Sequence, residues 1–108
     1  MRKLFALLLI ASYAHAQDAD SAWFVNNYTK KEVYIPMRDG IKLFTSILMP
    51  KDNSEAHPIL LKRTPYSCSP YGEDKMPTGI SKSYLMSYLK EGYVLIAQDV
   101  RGRWMSEG

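Results

Sequence analysis

Pro58-Ile59-Leu60-Leu61-Lys62-Arg63 and Tyr93-Val94-Leu95-Ile96-Ala97-Gln98 are short, nearly continuous apolar runs. Runs of this length suit strands, and the first reads as a strand covered on both faces of a sheet. Between them, Ser81 to Glu91 repeats at helical spacing, with Tyr84, Leu85, Tyr88 and Leu89 on one side. Ser81 is placed to cap the start of that helix, and Gly92 fits the left-handed position after its end. A strand, a helix and a second strand in this order predict a parallel pair joined by a crossover.

Upstream, Glu32-Val33-Tyr34-Ile35-Pro36-Met37 is a short β-type run, followed by Arg38-Asp39-Gly40. Asp-Gly supplies the positive φ of a tight hairpin turn. From Ile41 to Met49, residues Ile41, Leu43, Ile47 and Met49 share one face with Thr45 between them, the period of a strand. The fold class is therefore α/β: an antiparallel hairpin leads into the parallel strand–helix–strand unit, giving a mixed sheet. This order matches the opening of an α/β-hydrolase sheet. Four strands and one helix leave one sheet face largely bare to water, so the sheet is expected to be incomplete. The catalytic domain is expected to begin at residues 31–108 and to continue beyond Gly108.

The chain has 108 residues, 46% hydrophobic and 23% charged, which excludes a disordered tail or a low-complexity linker. One cysteine, Cys68, excludes a disulfide-stapled miniprotein and a cysteine-rich zinc site. Arg2-Lys3, the apolar run Leu4 to Ala11 and the small residues of Ala14-His15-Ala16 form the pattern of a secretory signal peptide. The run is too short for a membrane anchor, which needs about 20 apolar residues. Residues 1–16 are thus expected to be removed after Ala16, with export to the periplasm or the medium. Loss of Arg2 and Lys3 takes the formal charge from +3 to +1, so basicity gives no reason to expect a nucleic-acid partner. Residues 17–30, polar with Trp23 and Phe24 among them, read as a leader that packs an aromatic patch onto the domain.

Few residues are placed to carry chemistry. Ser106 has Trp104 two positions before it, where a nucleophile elbow requires glycine. His57 precedes Pro58 at the N-terminal end of a strand, away from where such sheets keep their sites, and reads as a surface histidine. Cys68 has no legible histidine partner and reads as a spectator. Thr64 to Gly79, with Pro65, Pro70, Gly72 and Pro77, is a long loop of turn chemistry, and such loops are often functional. At its start Lys62-Arg63-Thr64-Pro65-Tyr66 lies just beyond the C-terminal end of a strand. There a phenol O–H on a rigid ring could donate to an oxygen that gains charge, and equally could be a packing aromatic.

Four blocks in order, Ile35 to Leu43, Lys62 to Tyr66, Gly92 to Gly102 and Ser106-Glu107-Gly108, resemble the N-terminal region of the CocE/NonD-type serine hydrolases. That group contains X-Pro dipeptidyl-peptidases, cocaine esterase, α-amino-acid ester hydrolases and cephalosporin acylases. The resemblance implies an α/β-hydrolase core with a helical cap and a jelly-roll domain. It also implies an acyl-enzyme mechanism and a Ser-Asp-His triad that would lie beyond Gly108. It assigns the oxyanion-hole donor to Tyr66, where several members carry aspartate in place of the following Ser67. It implies a peptide or small-molecule substrate with an ester or amide bond and no cofactor, and leaves a homo-oligomer open. Arg101 is expected to order carbonyls or pair with Asp99 or Glu107, with Gly102 and Gly108 serving turns. Two alternatives stay open: an exported, non-enzymatic binding module presenting Trp23, Tyr66 and Tyr71, and a pseudo-enzyme of the same fold.

Overall fold

A computed structural model describes residues 19–52 and 54–108. The signal-peptide expectation at residues 1–16 lies outside the described residues. Residues 19–27 are helical (α1) and run directly into β1, Tyr28–Pro36. The other strands are β2 (Lys42–Pro50), β3 (Ile59–Thr64) and β4 (Val94–Asp99). They form one sheet in the order β1-β2-β4-β3. β1 and β4 both run antiparallel to β2, and β3 runs parallel to β4, so the hairpin and the parallel strand–helix–strand unit both stand as expected. None of the described helices is long and apolar enough to cross a membrane.

β1 begins at Tyr28, ahead of the run starting at Glu32. Its first residues alternate buried and exposed, because Tyr28 and Lys30 face the helical layer while Thr29 and Lys31 face away. Lysine at an inward position hid this alternation from a hydrophobicity count. At the hairpin, the Gly40 N–H donates to the Met37 carbonyl and the Met37 N–H to the Ile41 carbonyl. Gly40 takes φ 86°, the left-handed position of a type I turn with a bulge.

The expected helix from Ser81 to Glu91 is split. A 3₁₀ turn covers Ile80–Lys82, Ser83 is extended, and the α-helix (α2) covers only Leu85–Lys90. The Ser83 hydroxyl causes the break. It donates to the Ile80 carbonyl at 2.8 Å and accepts the Leu85 N–H at 3.3 Å, so it competes with the helical ladder. The capping expected of Ser81 thus falls to Ser83. The inward residues of α2 are Met86 and Leu89, while Tyr84 is exposed. At the other end, Gly92 at φ 84° closes a Schellman motif, its N–H on the Leu89 carbonyl and the Tyr93 N–H on the Tyr88 carbonyl.

The core joins the two helices to one end of the sheet: Phe24, Tyr28, Leu48, Met86, Leu89 and Leu95. The Tyr28 hydroxyl reaches the carbonyls of Leu89 and Tyr93 at 3.0 and 2.7 Å, which satisfies the C-terminus of α2. Burial pushes its ionisation up to about 12. The cover expected on both faces of β3 is not provided by the described residues: no element packs over Ile59 and Leu61, which stand exposed.

Candidate active site

The parallel strands β3 and β4 end side by side at Thr64 and Asp99, and the polar chemistry of the molecule gathers there. Asp99 is fully buried. Its carboxylate accepts the Cys68 N–H at 2.8 Å, the Tyr71 hydroxyl at 2.8 Å and the Met105 N–H at 3.3 Å. Because Tyr71 spends its only proton on Asp99, the Ser67 hydroxyl must donate to the Tyr71 oxygen, 2.9 Å away. Ser67 in turn accepts the Ser69 N–H at 3.1 Å. A relay of donors thus runs from the loop to one buried carboxylate. The Tyr71 ring packs edge-on against Phe44, with centroids 5.2 Å apart.

The far side of the same loop is tied to β1. The Lys30 ammonium is buried and donates to the carbonyls of Pro70 and Lys75. The Glu32 carboxylate accepts the Gly72 N–H at 2.8 Å, and the Glu73 carboxylate accepts the Glu32 N–H at 3.0 Å. The 64–75 segment is therefore a fixed loop with little apolar support of its own.

Tyr66 sits at the head of this loop. Its N–H donates to the Thr64 hydroxyl at 3.0 Å, a two-residue turn made at the end of the strand. Its side chain is 85% exposed, and its hydroxyl has no hydrogen-bond partner among the described residues. Tyr66 is thus placed where the sequence placed it, with its phenol uncommitted to packing. Beside it lies a cleft of about 580 Å³ between the sheet and the α2 layer, lined by Lys62, Thr64, Ser67, Cys68, Tyr84 and Leu95 among others, but not by Tyr66.

The other singled-out residues have structural partners. Burial, reinforced by the neighbouring Asp99 carboxylate, pushes the Cys68 thiol up to about 12, so it stays a neutral thiol. The ring nitrogen Nε2 of His57 lies 2.8 Å from the Asp52 carbonyl, and the ring backs onto Gly92. The Ser106 hydroxyl donates to the Asp99 carbonyl at 2.6 Å and accepts the Phe44 N–H at 2.8 Å, stitching the 101–108 loop to β2. Arg101 pairs with neither Asp99 nor Glu107. Its guanidinium binds both oxygens of Asp39, at 2.8 and 3.1 Å, because Asp99 is buried and saturated by Cys68, Tyr71 and Met105, and Glu107 holds the Lys42 N–H. This pairing is the main force holding the Asp39 carboxyl below its usual range. Gly102 and Gly108 both lie at positive φ. Tyr71 is committed to Asp99 and Phe44, and Trp23 packs against the core beside Tyr28, so of the three only Tyr66 stands as an exposed aromatic. Sequence reading missed Asp99 as the hub, because its partners lie 28 and 31 residues away and one of them is a backbone N–H.

A mixed sheet in which an antiparallel hairpin precedes a parallel β–α–β unit, with the loops gathered at the C-terminal ends of the parallel strands, is the N-terminal architecture of the α/β-hydrolases. Comparison with known proteins makes this specific. Residues 39–108 match the X-Pro dipeptidyl-peptidase (S15) family, and the chain belongs to that family. It is 32% identical over 83 residues to cocaine esterase of Rhodococcus sp. (strain MB1 Bresler), covering 76% of this chain and 14% of that protein. Among solved structures it is similar to an α-amino acid ester hydrolase, 41% identical with a TM-score of 0.62. It is also similar to an aminopeptidase from a marine-sediment Thaumarchaeota archaeon, 37% identical with a TM-score of 0.60. Both matches cover 76% of this chain and 14% of the other. The chain therefore spans about a seventh of the length of these relatives, and the resemblance read from the four sequence blocks is confirmed over the N-terminal region.

Proposed function

We propose that this chain is the N-terminal part of an exported serine hydrolase that cleaves an ester or amide through an acyl-enzyme, with Tyr66 donating to the oxyanion. The named relatives support the bond class: two act on esters and one is an aminopeptidase. A serine beyond Gly108 gives its proton to the triad histidine and attacks the substrate carbonyl carbon, and the electron pair of the C=O moves onto oxygen. The Tyr66 O–H stabilises that charge, which then collapses, breaking the bond to the leaving group; the histidine returns the proton to the departing alcohol or amine. Water later releases the acyl group in a second passage through the same kind of intermediate.

The observation that carries this reading is an unengaged phenol on an anchored backbone. An anchored backbone limits the reorganisation that a donor needs when charge appears, which is what electrostatic catalysis requires. Removal of the signal peptide predicts a mature N-terminus at Gln17, which mass spectrometry of the exported protein reads directly.

In the full-length polypeptide, Tyr66→Phe is expected to lower kcat by about 10²–10³-fold, or about 2.7–4 kcal/mol, with KM little changed. Unaltered turnover would refute the role. A fluorophosphonate is expected to label the full-length protein and to leave the 108-residue chain unlabelled; a labelled fragment would contradict the placing of the nucleophile beyond Gly108.

A further inference from the structure

Two non-glycine residues have positive φ among the described residues, Ser67 at 84° and Trp104 at 50°. A left-handed backbone is unfavourable for side chains of this kind, and such strain collects where geometry must be held. Both residues bear on one spot. Ser67 directly follows Tyr66. Trp104, from the 101–108 loop, sends its indole N–H to the carbonyl of Pro65, directly before Tyr66, at 2.9 Å. Among the described residues the ring is 63% exposed, and the indole N–H is its one hydrogen-bonded atom. Trp104 is itself held from behind, since the next residue, Met105, donates its N–H to Asp99.

We propose that Trp104 is a positioning residue for Tyr66. Its indole N–H pins the Pro65 carbonyl while Thr64 holds the Tyr66 N–H and Asp99 holds the Cys68 N–H, so three points close together on the chain fix the backbone that carries the phenol. Asp99 ties the two loops together, because it binds Cys68 from one and Met105 from the other. This rests on the reading of Tyr66 as oxyanion donor, and it adds a residue that holds the backbone around it.

The test is a double-mutant cycle in the full-length enzyme. Trp104→Phe keeps the ring and removes the donor; Trp104→Gly also relieves the left-handed backbone and serves if the first variant fails to fold. Each is expected to lower kcat about tenfold, with KM changed by less than about twofold. In a Tyr66→Phe background the same substitutions are expected to cost nothing further, since Trp104 acts only through the phenol. An equal loss in both backgrounds, or no loss at all, overturns the proposal. If Tyr66→Phe alone leaves kcat intact, the oxyanion reading itself fails, and that single-variant result separates the two failures.

Discussion

The two ends of the sheet are held together by different forces. At the end where β1 and β4 begin, Phe24, Tyr28, Met86, Leu89 and Leu95 exclude water and the polar atoms among them close helix termini. At the end where β3 and β4 finish, a long loop lies on the buried carboxylate of Asp99, and its far side is tied back by the buried ammonium of Lys30 near the start of β1. Apolar burial is non-directional and tolerates small shifts. Hydrogen bonds to Asp99 and Lys30 hold the loop only in one arrangement. The first end supplies cohesion; the second supplies a fixed loop geometry at the ends of the parallel strands.

Substitutions can break each end separately. Leu89 is fully buried, and Leu89→Ala is expected to cost about 2–5 kcal/mol, read as a fall in thermal midpoint, without selectively loosening the Tyr66 loop. Asp99→Asn keeps the shape but replaces one acceptor oxygen with a donor facing an N–H or a hydroxyl. The cost is expected to be about 1.5–3 kcal/mol, the size of a hydrogen bond to a charged group. Here the signature is local: hydrogen exchange is expected to speed up at Cys68 and Met105 more than at Leu89. Uniform acceleration across the chain would erase the distinction between the two ends.

An effect absent at neutral pH appears at alkaline pH. Cys68 and Tyr28 ionise near 12 in the folded protein, against ordinary values of 9.0 and 10.0. Below about pH 9 both are neutral folded or unfolded, and their contribution is present in full. Between pH 9 and 12 the unfolded chain loses its protons first, so stability is expected to decline there, as a pH series of urea melts would reveal. In the native protein Cys68 is expected to resist alkylation near neutral pH and to react once urea exposes it.

Much of this was legible in the sequence, and the remainder fails for identifiable reasons. The hairpin showed itself through Asp39-Gly40, the helix end through Gly92, and the parallel pair through two apolar runs, because each is a local signal. The helix break at Ser83 was hidden, since serine in a helical pattern competes for backbone partners only when its rotamer is known. The early start of β1 was masked by Lys30, whose ammonium is buried on two carbonyls supplied 40 and 45 residues away. Tyr66 was legible as a position at a strand end. What holds the backbone around it, Asp99 and Trp104, was not, because backbone N–H and carbonyl partners leave no trace in residue type.

The central claim is that the Tyr66 phenol meets the charge formed on the attacked carbonyl, and the most direct measurement is a crystal structure of the full-length enzyme with a boronate or phosphonate on its nucleophilic serine. The account predicts the Tyr66 hydroxyl about 2.5–2.7 Å from the tetrahedral oxygen, the length of a charge-assisted O–H···O⁻ bond. A phenol turned away from that oxygen, with other donors filling the hole, would contradict it.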